Sequence, residues 1–300
     1  MTRVVKTPSL SRANGPLVER AHEAFERSGG LRYLGHFTLG VFDFAVHDDM
    51  DATTAESLHR LGRYLDQATS SLGEPLESLA SGQLIRAVFE TESGAALYFT
   101  TRDREYLVGV AREGMVREAD RAVAGLVTEI RSLYRRGSQN PGGWEAPTDR
   151  LPGGELVAAP DPLRSVHLEG TPPPPDLVVS QLSPETLHYV GIVTDGRMSC
   201  SADVLDDPSL VHYFRGISVA ERRERYRTIH HRLVNPLRGL GQRLQTAVGG
   251  ELHRTVLDVE EGALYQIPLR PGAYLLGVTL HQSQVYFADA RLEGLAVQLR

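Results

Sequence analysis

Cysteine, lysine and tryptophan are nearly absent from this chain. Cys200 is the only cysteine among 300 residues, so no intrachain disulfide can form, and a cysteine-ligated metal cage is not expected. Lys6 is the only lysine; the other basic residues are all arginine, a bias that GC-rich codon usage explains. A glycine-rich phosphate loop ending in lysine therefore cannot be built, and the chain is not expected to be a GTPase itself. No dinucleotide glycine fingerprint follows a strand, and no serine sits in a nucleophile elbow. No apolar run approaches the roughly 20 residues that cross a bilayer. Met1 to Pro16 has no apolar core of signal-peptide length. The expectation is a soluble cytoplasmic protein without membrane insertion. A formal charge of -6 argues against a general nucleic-acid binder.

What the sequence does contain is self-similarity, the first thing to seek in a chain of this length. Ala96 to Val110 reads as two short strands joined by a polar turn. Ala263 to Val278 repeats it: Ala-Leu-Tyr opens both hairpins, and Tyr-Leu-aliphatic-Gly-Val closes both, with one extra residue assigned to the second turn. Upstream, Leu31 to Gly40 matches Leu187 to Gly196 in the frame Leu-x-Tyr-φ-Gly-x-φ-Thr-x-Gly, where φ is aliphatic or aromatic. The two echoes keep their order and nearly their spacing, so the chain reads as one module written twice.

The first module predicts a helix over 16–27, with Leu17, Ala21 and Phe25 on one face and Gly29-Gly30 as the stop. Two strands follow to Val46. A capping box at Thr53-x-x-Glu56 starts a helix striped by Leu58, Leu61, Leu65 and Ala68, ending near Gly73. Residues 75–81 read as a connector. Three strands follow, and then a long helix with Val116, Ala119, Val123, Val127 and Ile130 at helical spacing. Two meanders separated by a helix imply one five-stranded antiparallel sheet flanked by helices. Residues 1–15 are expected to fray.

The second module repeats the order. Ser218-x-x-Glu221 supplies its capping box, and Tyr226, Ile229, Leu233, Leu237, Leu240 and Leu244 stripe a helix that Pro236 should kink. Its opening helix is missing, reduced to one short turn around Asp176 to Leu182. Proline and glycine at Pro141-Gly142-Gly143, Pro152-Gly153-Gly154 and Pro172 to Pro175 mark a linker, the last as a short polyproline II spacer. The expected division is a first domain over 1–136, a linker over 137–180 and a second domain over 181–300.

This order of elements resembles the roadblock / dynein light-chain superfamily, a small α/β (α+β) fold related to profilin-like and longin domains. The resemblance rests on the glycine-punctuated first hairpin, the capped central helix and the last hairpin leading into the final helix, twice over; it covers most of both modules and carries no catalytic signature. It implies a bacterial tandem roadblock-like protein that is not an enzyme and needs no cofactor or metal. It implies pairing through the central helix and third strand, within one chain or between copies as a homo-oligomer. It also implies service as a scaffold or regulator for a small Ras-like GTPase or another signalling partner. The helix faces expected to pair are Leu58, Leu61 and Leu65, with Tyr226, Ile229 and Leu233.

Several constellations invite chemistry, and each has a plainer reading. Cys200 with His188 suggests thiol catalysis, but a lone cysteine on a strand packs as a small hydrophobe. His230 and His231 are adjacent on a helix and diverge. His47-Asp48-Asp49 has metal-ligand composition but reads as the polar exit of a strand. The charged stretch Glu221 to Arg227 reads as a solvated face or as a surface for an acidic or phosphate-bearing partner. Tyr98 with Tyr265, and Tyr106 with Tyr274, are assigned equivalent strand positions and read as packing residues. A ligand shelf of these tyrosines would make the protein a profilin-like small-molecule sensor. An enzyme of unassigned activity would need polar groups converging in a cleft.

Overall fold

The computed structural model describes residues 2–7, 15–145, 166–170 and 175–300. Pro152-Gly153-Gly154 and Pro172 to Pro174 lie outside the described residues. The fold is mixed α/β, with seven α-helices and twelve strands among the described residues, and every strand pairing whose register is defined is antiparallel. The chain forms two compact units. One gathers Met1–Gly73, Leu84–Gly142 and Asn235–Thr255; the other gathers Glu74–Gln83, Gly143–Val234 and Val256–Arg300.

The first unit opens with β1 (Thr2–Lys6), where the sequence led us to expect a frayed end. It pairs antiparallel with β3, Val4 opposite Val46. Then come α1 (Gly15–Ser28), β2 (Leu31–Thr38), β3 (Val41–Asp48), α2 (Ala52–Glu77), β4 (Leu84–Thr91), β5 (Gly94–Arg102), β6 (Glu105–Arg112) and α3 (Val116–Leu133). The strand order is β1-β3-β2-β6-β5-β4, and the start of β10 (Leu252–Val259) lies beyond β4. Alternation sends Leu97 and Phe99 of β5 to the face covered by α1 and α3, and Tyr98 to the face covered by α2. On that second face Phe37 stacks on Tyr106 at 5.2 Å, and Tyr106 on Tyr98 at 5.1 Å.

Two expectations for α2 need correction. Its N-terminal cap is Asp51, not Thr53: the Asp51 carboxylate accepts from the Thr54 amide at 2.9 Å and from the Thr54 hydroxyl at 2.7 Å. Accepting from the amide three residues on, the Asp51 carboxylate satisfies a free donor of the first turn. The helix also does not stop at Gly73. It carries Pro75 inside and runs to Glu77, burying Leu72 and Leu76 on the same stripe as Leu58, Leu61 and Leu65.

The second unit contains β7 (His167–Gly170), α4 (Pro175–Val179), β8 (Tyr189–Thr194), β9 (Arg197–Asp203), α5 (Val219–Thr228), the start of α6 (His230–Ala247), β11 (Gly262–Arg270), β12 (Ala273–Thr279) and α7 (Val285–Leu299). The order β10-β11-β12-β8-β9 repeats the arrangement β4-β5-β6-β2-β3, with β7 added beyond β9. β7, α4 and the turn Pro141–Gly143 all fall within the stretch expected as a linker. Ser218 caps α5 as expected, accepting from the Glu221 amide at 3.2 Å. The helical run breaks at Ile229, and Pro236 lies within α6.

The tips of both units are built alike. Leu39-Gly40 and Asp195-Gly196 turn through positive φ, and the Leu39 and Asp195 amides donate to the carbonyls of Arg104 and Gly272 at 2.7 and 2.8 Å. Gly94 and Gly262 open β5 and β11 at φ 141 and 102; a Cβ there would lie 2.2 Å from the Ala111 oxygen and 2.0 Å from the Thr279 oxygen.

This frame corrects one part of the repeat alignment. Leu97 stands opposite Gly109, whereas Tyr265 stands opposite Gly277, so Tyr265 is the counterpart of Leu97 and not of Tyr98. The turns are equally long; Ala-Leu-Tyr simply starts one residue earlier after its glycine in the second copy. With a side-chain period of two, that single step turns Tyr265 to the opposite face. Its hydroxyl donates to the Val285 carbonyl at 2.8 Å, whereas the Tyr98 hydroxyl faces Asp66 of α2 at 3.3 Å.

Candidate interaction surface

The six helix-face residues singled out in the sequence are all buried. Leu58, Leu61 and Leu65 line the inner side of α2; Tyr226, Ile229 and Leu233 line the same side of α5 and α6. They form core, and what they present outward is the rest of each helix. On α2 that includes Tyr64, whose ring lies 5.0 Å from the Arg243 guanidinium of α6, inside the first unit.

Each unit is completed by a segment distant in sequence, and sequence reasoning missed this. In the first, Arg254 of β10 pairs with Glu90 of β4, and Gly250 at φ 71 packs on Glu92. A Cβ at Gly250 would stand 2.8 Å from that of Glu92. In the second, Gly82 at φ 87 packs on Glu260, where a Cβ would stand 2.6 Å from the Glu260 Cβ. The Glu260 and Glu261 amides donate to the Gln83 and Ser81 carbonyls at 3.1 and 2.9 Å. Gly82 and Gly250 are 168 residues apart, as are Glu92 and Glu260. The signal available in the sequence was the pair of glycines just ahead of each third strand.

The polar constellations resolve into structure. His188 is fully buried, its Nε2 2.8 Å from the Pro184 carbonyl and its Nδ1 accepting from the Leu280 amide at 3.0 Å. Both ring nitrogens are thus engaged by backbone, and burial lowers its pKa to about 4. Cys200 is buried on β9, and burial pushes its thiol up, away from a reactive thiolate. Asp48 and Asp49 pair with Arg112 and Arg3, and the His47 Nδ1 meets the Asp48 carbonyl at 2.6 Å. No group of three metal-ligating side chains occurs among the described residues. His230 bonds the Gly196 carbonyl at 3.2 Å, while its neighbour His231 is exposed.

The arginines of α5 divide between core and surface. Arg222 is fully buried, donates to the Ala80 carbonyl at 3.1 Å and lies 5.1 Å from the Phe214 ring. Arg223 grips buried Asp203 with two hydrogen bonds of 2.7 and 2.8 Å and reaches Asp206 at 2.6 Å. Arg225 pairs with Glu221, and Arg227 with Glu169 at 2.9 Å. In the first unit Arg86 and Asp120 make a buried bidentate pair, both bonds 2.8 Å. These are structural ion pairs, consistent with packing more than with chemistry.

The most exposed of the large apolar residues are Leu39 and Val41 at the β2–β3 tip in the first unit, and Val211, Phe287 and Val297 in the second. A shallow, open depression of about 420 Å³ lies beside α7, lined by Thr186, Gln284, Phe287, Ala290 and Arg291. It contains none of the sheet tyrosines on which a sensor site would rest. No described helix is long and apolar enough to cross a membrane. No protein-family profile matches this chain, and no curated protein matches it.

Proposed function

We propose that this chain is a non-catalytic platform of two roadblock-like modules, each completed by a segment of the other, that offers its outer surface to a small Ras-like GTPase. The observation that carries the reading is a contact made twice. Gly250 against Glu92 in one unit and Gly82 against Glu260 in the other are the same contact with the modules exchanged. The contact flanks the third strand of each module, and the family resemblance assigns pairing to that strand and the central helix. The repeated strand order supports the same reading.

The engagement of His188 and the raised thiol of Cys200 favour a binding role over nucleophilic chemistry. The test is capture by the immobilised full chain from an extract of its own cells, with GTP analogue or GDP. A Ras-like GTPase retained preferentially in one nucleotide state supports the platform. Retention of none in either state removes it.

A further inference from the structure

The first unit gathers apolar and basic side chains at one end of its sheet. Leu39 and Val41 flank Gly40 in the β2–β3 turn, and each is 62% exposed. The Leu39 amide donates to the Arg104 carbonyl at 2.7 Å, which brings the β5–β6 turn alongside. Arg131 of α3 donates to the Thr101 carbonyl at 3.2 Å, and the Arg102 guanidinium lies 4.0 Å from the Tyr134 ring. The end of α3 therefore joins the same surface, and it exposes Leu133 and Tyr134. Apolar side chains gathered on a surface mark contact with protein or membrane.

The second unit builds the same turns from other residues. Asp195 stands for Leu39, Arg197 for Val41 and Gly272 for Arg104, and the Asp195 amide donates to the Gly272 carbonyl in the matching place. Leu39 and Arg104 both hold positive φ, at 55 and 58. Aspartate and glycine adopt that region at small cost, whereas leucine and arginine do not. Packing does not offset the strain, because both side chains are exposed. The first unit thus keeps an unfavourable backbone at two turn positions and presents there an aliphatic group and a cation. Strain held without a structural return points to function.

The charge around the tip selects the occupant. Lys6 stands opposite Phe44, and the Thr7 amide donates to the Asp43 carbonyl, so β1 reaches this end as well. Lys6, Arg104, Arg135 and Arg136 are exposed and have no ion-pair partner among the described residues. Asp43, Asp66 and Glu105 are engaged by His36, Tyr98 and Arg102, which leaves Asp103 as the free carboxylate of these turns. Four cations against one carboxylate thus surround an apolar projection, in a chain whose formal charge is -6. A hairpin tip is convex. A protein would need a cavity shaped to receive it, whereas a headgroup layer closes around a small apolar projection and holds the neighbouring cations through anionic lipids.

We propose that this end of the first unit docks on an anionic phospholipid surface. Leu39 and Val41 enter the boundary between headgroups and acyl chains, and Arg104, Arg135 and Arg136 contact lipid phosphates. The contact is peripheral, and no helix enters the bilayer. This site stands apart from the GTPase reading and survives its failure.

The test is co-sedimentation of the full-length chain with vesicles of phosphatidylcholine alone, or of phosphatidylcholine and phosphatidylglycerol in equal amounts. Binding to the anionic vesicles only is expected, and added salt should weaken it. Leu39→Asn should weaken it about tenfold through the lost apolar contact, with an equal or higher melting temperature. Arg135→Glu with Arg136→Glu should weaken it by about twentyfold or more at an unchanged melting temperature. The proposal is overturned if the wild-type chain does not bind the anionic vesicles, or if either variant binds them as tightly as wild type. It is also overturned if Leu39→Asn abolishes retention of a protein from the cell extract while vesicle binding is unchanged, since the tip would then be a protein contact.

Discussion

At the scale of single residues, stability depends on how buried charges are paired. Arg86 and Asp120 are both nearly inaccessible and share two hydrogen bonds. Removing one member of such a pair costs about 3–5 kcal/mol, because the other stays buried. Asp120→Ala should therefore lower the denaturant midpoint strongly, whereas Arg86→Met with Asp120→Leu should recover much of the loss. Equal losses for the single and double variants would show that the pair is not what these positions contribute. The sequence displayed both residues but not their meeting, since 34 positions separate them.

His188 supplies a pH dependence whose sign is fixed. Burial lowers its pKa from 6.5 to about 4, so between those values the unfolded chain binds the proton more readily. Its contribution is complete above pH 6.5 and is lost as pH falls towards 4, on the order of 3 kcal/mol. Burial lowers His59, His230 and His281 in the same direction. Asp66, raised by burial, acts oppositely at the acid end. Thermal unfolding from pH 7.5 to 4 should show falling stability, flattened in His188→Gln. A wild-type profile unchanged over that range would refute the assignment.

At the scale of elements, caps and turns decide what the sequence could reveal. Ser218→Ala should cost about 1 kcal/mol at the start of α5. In α2 the cap is Asp51, so Asp51→Ala should lower the melting temperature and Thr53→Ala should barely move it; the reverse ranking would restore Thr53. Leu39 holds φ 55 in an exposed turn where the other unit has Asp195. Asparagine tolerates that conformation better than leucine, so Leu39→Asn should stabilise the fold by roughly 0.5–1 kcal/mol in chemical unfolding.

Element order and type were legible because apolar period, capping serine and punctuating glycine agree along most of the chain. The central stripes through Leu58 and Tyr226 were legible as buried faces for the same reason. Register was not, because Ala-Leu-Tyr is a local identity and only the hairpin glycines fix which face it serves. Strands β1 and β7 escaped notice because each is short and gains its hydrogen bonds from a neighbour remote in sequence. The Asp51 cap was hidden behind a threonine that fits the same pattern.

At the scale of the whole molecule, each compact unit draws on both halves of the sequence. The first compact unit includes residues 235–255, and the second includes residues 74–83. Nothing in a local window could show this, because the contacts join positions more than 150 residues apart, as Glu90 and Arg254 do.

The most direct measurement is complementation between fragments 1–136 and 166–300, produced separately and then mixed. Thermal unfolding should find each fragment alone much less stable than the full chain, and an equimolar mixture should form a one-to-one complex with most of the lost stability restored. Two fragments that each unfold cooperatively at the full-chain temperature, and do not bind one another, would contradict it.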